Sequence, residues 1–211
     1  MYLPTQFEET RVEEIHKLIR EFPLGMLVTN GPGGLDSNPL PFEIDAGAGA
    51  RGTLRAHCAR ANPLWREVTT GDAVLVVFHA GNAYISPNWY PSKHETHRHV
   101  PTWNYRVVQV RGRIAVHDDE RHVRGIVARL TRTHEGLTGD PRPWKMADSA
   151  PEFIDSLLAN IVGLEVEIES VVAKTKLGQN REDRDRLGAA DALSARGEDV
   201  VSQAMRDAGK R

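Results

Sequence analysis

The chain has 211 residues, of which 40% are apolar and 27% charged, and its formal net charge is -2 at pH 7. This composition is typical of one globular domain, with or without an appendage. The apolar runs are too short to span a bilayer, and the N-terminus lacks the regions of a signal peptide. Cys58 is the single cysteine, which excludes an intrachain disulfide and a cysteine-based zinc site. We therefore expect a soluble, cytoplasmic protein with no membrane partner.

Apolar spacing predicts about six strands with helices before, between and after them. The first helix is predicted over 12–22, and further helices start at Asn62, at Asp118 and, through a capping box, at Ser149. The predicted strands are 25–30, 35–44, 53–58, 73–78 with 83–86, 105–117 and 164–168. Their spacing is too tight for repeated βαβ units, so we predict a mainly β protein built on an antiparallel sheet or barrel.

Two segments lack strong apolar periodicity. The His-rich stretch 91–100 is predicted to be a loop. From Arg181 onward the chain is mostly charged and small, which predicts a helical or frayed tail. We therefore place one domain over 1–180 and a tail over 181–211.

The segment 54–65 suggests an anion site. A strand ends there, a turn carries His57 and Arg60, and a helix begins at Asn62. A helix N-terminus offers free N–H groups to a phosphate, so N–H groups from Leu64 onward are expected to be unpaired. Arg60 can add charge-assisted hydrogen bonds. The alternative is that Asn62 only caps the helix, Arg60 is solvated and His57 packs in the core.

Aromatic residues are dense in two stretches, 84–90 and 101–105, which hold two tryptophans and three tyrosines. Aromatic walls with a few polar groups line ligand pockets, and the same residues anchor dimer interfaces. A core packed with aromatic rings is a third interpretation.

Two polar segments have the composition of possible ion sites. His94, His97 and His99 lie close together, but Lys93 and Arg98 oppose a cation, so we predict no metal site. The cations of 174–181 can reach an anion or end in solvent. The net charge of -2 and the lack of a helix with clustered base-reading side chains predict no direct DNA binding by the isolated chain.

Several motifs together resemble the PaiB family, described as FMN-binding negative transcriptional regulators. They run nearly end to end and are Met1-Tyr2-Leu3-Pro4 with Phe7, Asn38-Pro39-Leu40-Pro41, His57 through Trp65, Tyr84-Ile85-Ser86-Pro87 with Trp89-Tyr90, Val100 through Tyr105, His134-Glu135 with Trp144, Ile161-Val162-Gly163, and Lys176 through Arg181. The last block departs from the family pattern, because Gly178 stands where the family has serine.

The resemblance implies a split β-barrel, similar to pyridoxamine-phosphate-oxidase-like and flavin-reductase-like proteins, that binds FMN between the subunits of a homodimer. The phosphate is then expected at the turn 57–62 and the ring along 37–40, with aromatic residues supplied by the partner subunit. The implied cofactor-binding residues are Ser37, Asn38, Leu40, His57, Arg60, Asn62, Trp103 and Asn104.

The biological task stays open at this stage. The resemblance implies a negative regulator of transcription. A flavin-dependent oxidoreductase or flavin reductase is the alternative, because fold alone does not decide function. A split barrel that binds haem or another ligand in the same cleft is a second alternative.

Overall fold

Strands make up most of the regular structure. The computed structural model describes residues 1–209 and contains, in that range, eight strands and seven α-helices. The strands are β1 (Glu8–Glu9), β2 (Leu24–Gly31), β3 (Gly34–Pro41), β4 (Glu43–Asp45), β5 (Thr53–Ala59), β6 (Ala73–Ile85), β7 (Thr102–His117) and β8 (Ile161–Lys176). The helices are α1 (Val12–Glu21), α2 (Leu64–Glu67), α3 (Lys93–Thr96), α4 (Glu120–Glu135), α5 (Pro151–Leu158), α6 (Asp183–Ser194) and α7 (Asp199–Ala208). No helix in the described range is long and apolar enough to cross a membrane.

The strands form one sheet in the order β3-β2-β6-β7-β8-β5-β4, and β1 pairs with β8. Each pairing with a defined register is antiparallel, which confirms the predicted sheet type. β2 and β3 form the predicted hairpin, in which Gly31 lies opposite Gly34. Gly34 has a φ of +94°, a backbone conformation that residues with a side chain rarely adopt.

Backbone packing divides the chain into two units. Unit 1 comprises 1–18, 79–108 and the residues from 172 onward, and unit 2 comprises 19–78 and 109–171. The long strands β6, β7 and β8 each contribute residues to both units. The assignment of 181–211 as a separate tail remains a prediction.

In unit 2, the alternation of β8 places its apolar residues in the core. Leu164, Val166 and Ile168 are at most 3% exposed, whereas Glu167 and Glu169 on the other face are exposed. This confirms the predicted strand with one wet face. β8 pairs with β5 in the register that sets His57 opposite Gly163, so the C-terminal end of β5 is fixed by the sheet.

In unit 1, α6 and α7 pack their apolar faces into a shared core. The buried residues of this cluster are Ala83, Ile85, Tyr90, Leu177, Ala189, Ala190, Leu193, Val201, Met205 and Ala208. Gly188 allows the chain to approach closely, because a Cβ at this position would lie 2.7 Å from the carbonyl oxygen of Trp89. The described residues after Arg181 are therefore mainly helical, with buried faces.

Several predicted boundaries were wrong. Helix α4 is capped by Asp119, whose Oδ1 accepts from the N–H of His122 at 2.8 Å, rather than by Asp118. The predicted capping box at Ser149 does not form, because α5 starts at Pro151. The stretch 91–100 contains the short helix α3, which the sequence did not predict.

Two strand predictions also needed correction. The strand predicted over 35–44 is two strands, because the chain changes partner near Phe42: β3 pairs with β2, whereas β4 pairs with β5. The two pieces at 73–78 and 83–86 form the single strand β6, which passes through Gly81 with a φ of +87°.

Candidate functional site

The predicted phosphate-binding turn lies between β5 and α2, in unit 2. Its backbone is closed by two hydrogen bonds, from the N–H of Asn62 to Ala59 at 2.9 Å and from the N–H of Arg60 to Asn160 at 2.8 Å. The turn therefore presents its side chains from a fixed backbone at the end of a sheet strand.

A direct hydrogen bond joins this turn to the hairpin. The side-chain amide of Asn62 donates to Oδ1 of Asn38 at 2.8 Å, and the amide of Asn38 donates to Asp36 at 2.8 Å. Asn38 lies on β3 opposite Leu27, so the register of the hairpin sets its position. Asn38, which is expected at the flavin ring, and Asn62, which is expected at the phosphate, thus share one polar surface although they are 24 positions apart in sequence.

The other two predicted residues of β3 differ in exposure. Ser37 is exposed, whereas Leu40 is only 7% exposed and belongs to the core. Leu40 can therefore meet a ligand through its backbone more readily than through its side chain.

Arg60 already has a negatively charged partner. Its guanidinium forms a two-pronged ion pair with Asp118, with Nη1 at 3.1 Å from Oδ2, and its Nε donates to the carbonyl of Ala159 at 2.6 Å. Asp118 holds the pKa of Arg60 above its ordinary value, and Arg60 in turn lowers the pKa of Asp118. An incoming phosphate must compete with Asp118 for this guanidinium.

The N-terminus of α2 is less available than the sequence suggested. The helix has four residues, the N–H of Leu64 bonds to Oδ1 of Asn62 at 2.9 Å, and the N–H of Arg66 bonds to Pro63 at 2.8 Å. The expectation of unpaired N–H groups from Leu64 onward was therefore wrong for these two, because the Asn62 side chain accepts from Leu64 and the carbonyl of Pro63 accepts from Arg66. Arg66 is a cation that the sequence reasoning missed. It is exposed and lies over the ring of Trp65, 4.5 Å from its centroid.

His57 precedes the turn on β5 and is half-buried, and burial lowers the pKa of its imidazole. Within residues 1–209, its buried Nδ1 atom has no hydrogen-bond partner. A buried ring nitrogen without a partner is unusual, and its enclosure means that a ligand on the surface of the turn does not reach this atom directly.

The remaining predicted residues, Trp103 and Asn104, lie in unit 1. The ring of Trp103 is 54% exposed and meets Tyr84 edge to face, with 5.9 Å between the centroids. The Asn104 side chain is 2% exposed and its amide donates to the sulfur of Met205 at 3.4 Å. Trp103 is therefore presented to a ligand or partner, whereas the Asn104 side chain is enclosed.

An open aromatic cavity of about 460 Å³ adjoins Trp103 in the same unit. Its lining residues are Asn82, Ala83, Tyr84, Trp89, Trp103, Arg196 and Glu198. Arg196, which lies over the ring of Trp89, comes from the segment after Arg181, to which we had assigned no ligand. The packing of α6 and α7 within unit 1 brings the positive charge of Arg196 to the cavity.

Lys176, one of the cations considered for an anion, is also engaged within unit 1. Its ammonium donates to the hydroxyl of Thr102 and, at 2.7 Å, to the carbonyl of Trp103. Burial lowers the pKa of Lys176. This lysine supports the backbone of the aromatic segment.

Residues 1–170 match the family described as "Putative FMN-binding domain". The chain is 30% identical over 196 residues to the protein of Bacillus subtilis (strain 168) called protease synthase and sporulation protein PAI 2, covering 92% of this chain and 89% of that one. It is also 30% identical to an uncharacterized protein of Aspergillus fumigatus, covering 95% and 93% of the two chains.

The fold is shared with solved flavoproteins. The FAD- and haem-binding protein of Mycobacterium smegmatis superposes with a TM-score of 0.56 at 20% identity, over 81% of this chain and 74% of that one. Together with the antiparallel sheet, this likeness shows the split-barrel flavoprotein fold that the sequence predicted.

Proposed function

Because the chain belongs to the PaiB family of FMN-binding proteins, we propose that it is a homodimeric flavoprotein that regulates transcription through a partner. The hydrogen bond between Asn38 and Asn62 supports the flavin-binding part of this proposal, since it joins the hairpin and the turn in one polar surface. FMN would lie with its ring along β3 and its phosphate at the turn. When bound, FMN supplies reversible electron transfer, and the protein positions it.

The residues at this surface fit a phosphate and a polar ring edge. Asn38 and Asn62 offer amide groups, and Ser37 offers an exposed hydroxyl. Arg60 can exchange Asp118 for a phosphate. A planar carboxylate and a tetrahedral phosphate each accept two parallel N–H bonds from a guanidinium.

Exposed apolar side chains support the homodimer. On the hairpin of unit 2, Leu24, Met26 and Leu35 are 63%, 39% and 80% exposed. β3 is also at the edge of the sheet order. An exposed apolar hairpin at a sheet edge is a liability for a monomer and a common feature of an interface between copies.

The regulatory task is inferred from the resemblance to the PaiB family, and the name of the relative in Bacillus subtilis mentions protease synthesis and sporulation. The net charge of -2 favours action through a protein partner over direct binding to DNA. The redox state of FMN would then change the surface that this partner contacts.

The aromatic cavity favours a second function, that of a flavin-dependent oxidoreductase. Tyr84, Trp89 and Trp103 form walls of the kind that bind planar molecules, and Arg196 adds a positive charge. A small aromatic anion is the substrate class that this chemistry suits.

An absorbance spectrum and sedimentation velocity test the main proposal together. We expect a flavin spectrum with one FMN per chain and a dimer at micromolar concentration. Leu35→Glu should shift the protein to monomer, whereas Leu137→Glu, at an equally exposed leucine of the loop after α4, should leave the dimer intact. A monomeric wild-type protein contradicts the homodimer, and a haem spectrum contradicts the flavin assignment. Rapid NAD(P)H oxidation with added FMN would favour the oxidoreductase.

A further inference from the structure

A cluster of histidine and carboxylate groups lies where β7 ends and α4 begins, in unit 2. Candidate ligand atoms of His117, Asp119 and His122 all lie within 4.8 Å of one another. The carboxylate of Glu165, on β8, lies beside both imidazoles, with Oε2 at 3.5 Å from Nε2 of His117 and Oε1 at 3.2 Å from Nε2 of His122. We propose that these four residues bind one divalent transition-metal ion, with Zn²⁺ as the best match to two imidazoles and two carboxylates.

The imidazole nitrogens provide the second observation. Nε2 of His117 and of His122 are both buried atoms that make no hydrogen bond of good geometry within residues 1–209, although Glu165 lies beside them. Buried polar atoms are normally satisfied, whereas these two nitrogens share one carboxylate that already accepts a hydrogen bond from Arg55. A metal ion satisfies both lone pairs at once.

The fold explains why the residues converge. His117 is the last residue of β7, Asp119 is the N-cap of α4, and His122 lies in the first turn of that helix. Asp119 uses Oδ1 for the cap and leaves Oδ2 for a ligand. The strand-to-helix turn thus brings residues of the pattern H-x-D-x-x-H to one side.

The surrounding charges favour a dication. Glu165, Asp119 and Asp45 contribute three negative charges, against the single positive charge of Arg55, which pairs with both Asp45 and Glu165. Nε of Arg55 donates to Oε1 of Glu165 at 2.6 Å, which holds this carboxylate in place. An outer partner of this kind orients a metal ligand.

Binding requires a small rearrangement of the rings. The imidazoles of His117 and His122 are stacked, with centroids 3.7 Å apart and an interplanar angle of 9°. Parallel rings direct their lone pairs side by side, so one ring must tilt for both to reach an ion at about 2.0–2.1 Å. His122 is free to do so, since its side chain is 29% exposed and its backbone lies at a helix start.

The three histidines of 91–100 provide the matched control. His94 and His97 are exposed, whereas Nε2 of His99 contacts the hydroxyl of Ser92 at 2.8 Å. These three side chains therefore do not share one environment, although each lies closer in sequence to the next than His117 does to His122.

Zn²⁺ competition with a chromophoric chelator tests the proposal on the purified full-length protein, after treatment with EDTA and gel filtration. We expect one tightly held Zn²⁺ per chain. His122→Ala should weaken binding by roughly a hundredfold or more, since even outer-shell changes cost 10–100-fold. The double variant His94→Ala/His97→Ala should bind as the wild type does.

Asp119→Asn keeps the helix cap while removing one charge, and should weaken binding with unchanged circular dichroism. This variant keeps the test valid if His122→Ala fails to fold. Co²⁺ should give the intense visible bands of a tetrahedral site. Wild-type protein that binds no Zn²⁺ would overturn the proposal. So would affinity that is unchanged in both His122→Ala and Asp119→Asn, or lost in the His94/His97 variant.

Discussion

Two polar networks in the molecule have similar residues and opposite surroundings. The turn network, in unit 2, consists of Asn38, Arg60, Asn62 and Asp118, and its hydrogen bonds are exposed or half-buried. The loop network, in unit 1, consists of Ser92, His99, Arg181 and Asp185. Its hydrogen bonds involve Asp185, which is 2% exposed, and Ser92, which is 4% exposed.

The loop network brings a serine, a histidine and an aspartate together without forming a nucleophile. The Ser92 hydroxyl donates to Asp185 at 2.5 Å and lies 2.8 Å from Nε2 of His99, so the serine stands between the other two groups. In a catalytic triad the histidine takes that middle position. Burial and full pairing therefore mark a structural network, whereas the turn network keeps the exposure that ligand exchange needs.

The largest change in the free energy of unfolding is expected from Asp185→Ala, because this substitution tests whether the loop network stabilises the fold. It removes the acceptor of both the N–H and the hydroxyl of Ser92, so the free energy of unfolding should fall by about 3 kcal/mol. Asp191→Ala, on the same helix, breaks only the exposed pair with Arg206 and should cost less than about 1 kcal/mol. Urea denaturation measures both, and equal effects would show that the loop network is not the more structural of the two.

The pH dependence of stability tests the same network. Burial raises the pKa of Asp185, but the hydrogen bonds from Ser92 and the charge of His99 outweigh it, so its pKa lies below 3.8. A lowered folded-state pKa gives stability that is complete above the unfolded value, about 3.9, and is lost as the pH falls through the folded one. Acid unfolding should therefore be less steep in Asp185→Asn, and an unchanged slope would contradict this.

A smaller change in stability is expected at the turn network. Asn62→Ala removes the side-chain oxygen that accepts from the N–H of Leu64, so the free energy of unfolding should fall by about 1 kcal/mol. The same variant should bind FMN more weakly. Asn62→Asp keeps the acceptor for Leu64 but loses the amide that donates to Asn38, and it places a negative charge beside the phosphate. It should therefore also weaken FMN binding, and unchanged FMN affinity in both variants would place the phosphate elsewhere.

The smallest effect is expected for chemical modification of Cys58, which lies on β5 just before the turn network. Burial raises the pKa of this thiol to about 11, and its side chain is 2% exposed. Only about one thiol in a thousand is ionised at pH 8, so alkylation of the folded protein should be very slow. Rapid alkylation without unfolding would show that β5 opens more easily than its burial indicates.

Local pattern predicted most of the fold, because the alternation of β8 and the spacing of α1 depend on neighbours in sequence. The hairpin was placed correctly for the same reason, whereas the turn was predicted too early, because β5 continues through Ala59 and holds His57 on the strand opposite Gly163. The partner of Arg60 was missed, because Asp118 is 58 positions away and was assigned to a helix cap. The carboxylate beside His117 was missed for a similar reason, since only the sheet brings β8 to the end of β7.

Binding of FMN and of riboflavin to Arg60→Ala, followed by flavin fluorescence, tests the phosphate assignment most directly. Arg66→Ala, which removes the exposed cation on α2, is the control. The account predicts that Arg60→Ala weakens FMN by roughly ten- to a hundredfold and leaves riboflavin, which lacks the phosphate, nearly unchanged. Unchanged FMN affinity would mean that Arg60 serves only Asp118 and that the phosphate does not bind through it, and equal losses for both flavins would point to a distorted cleft.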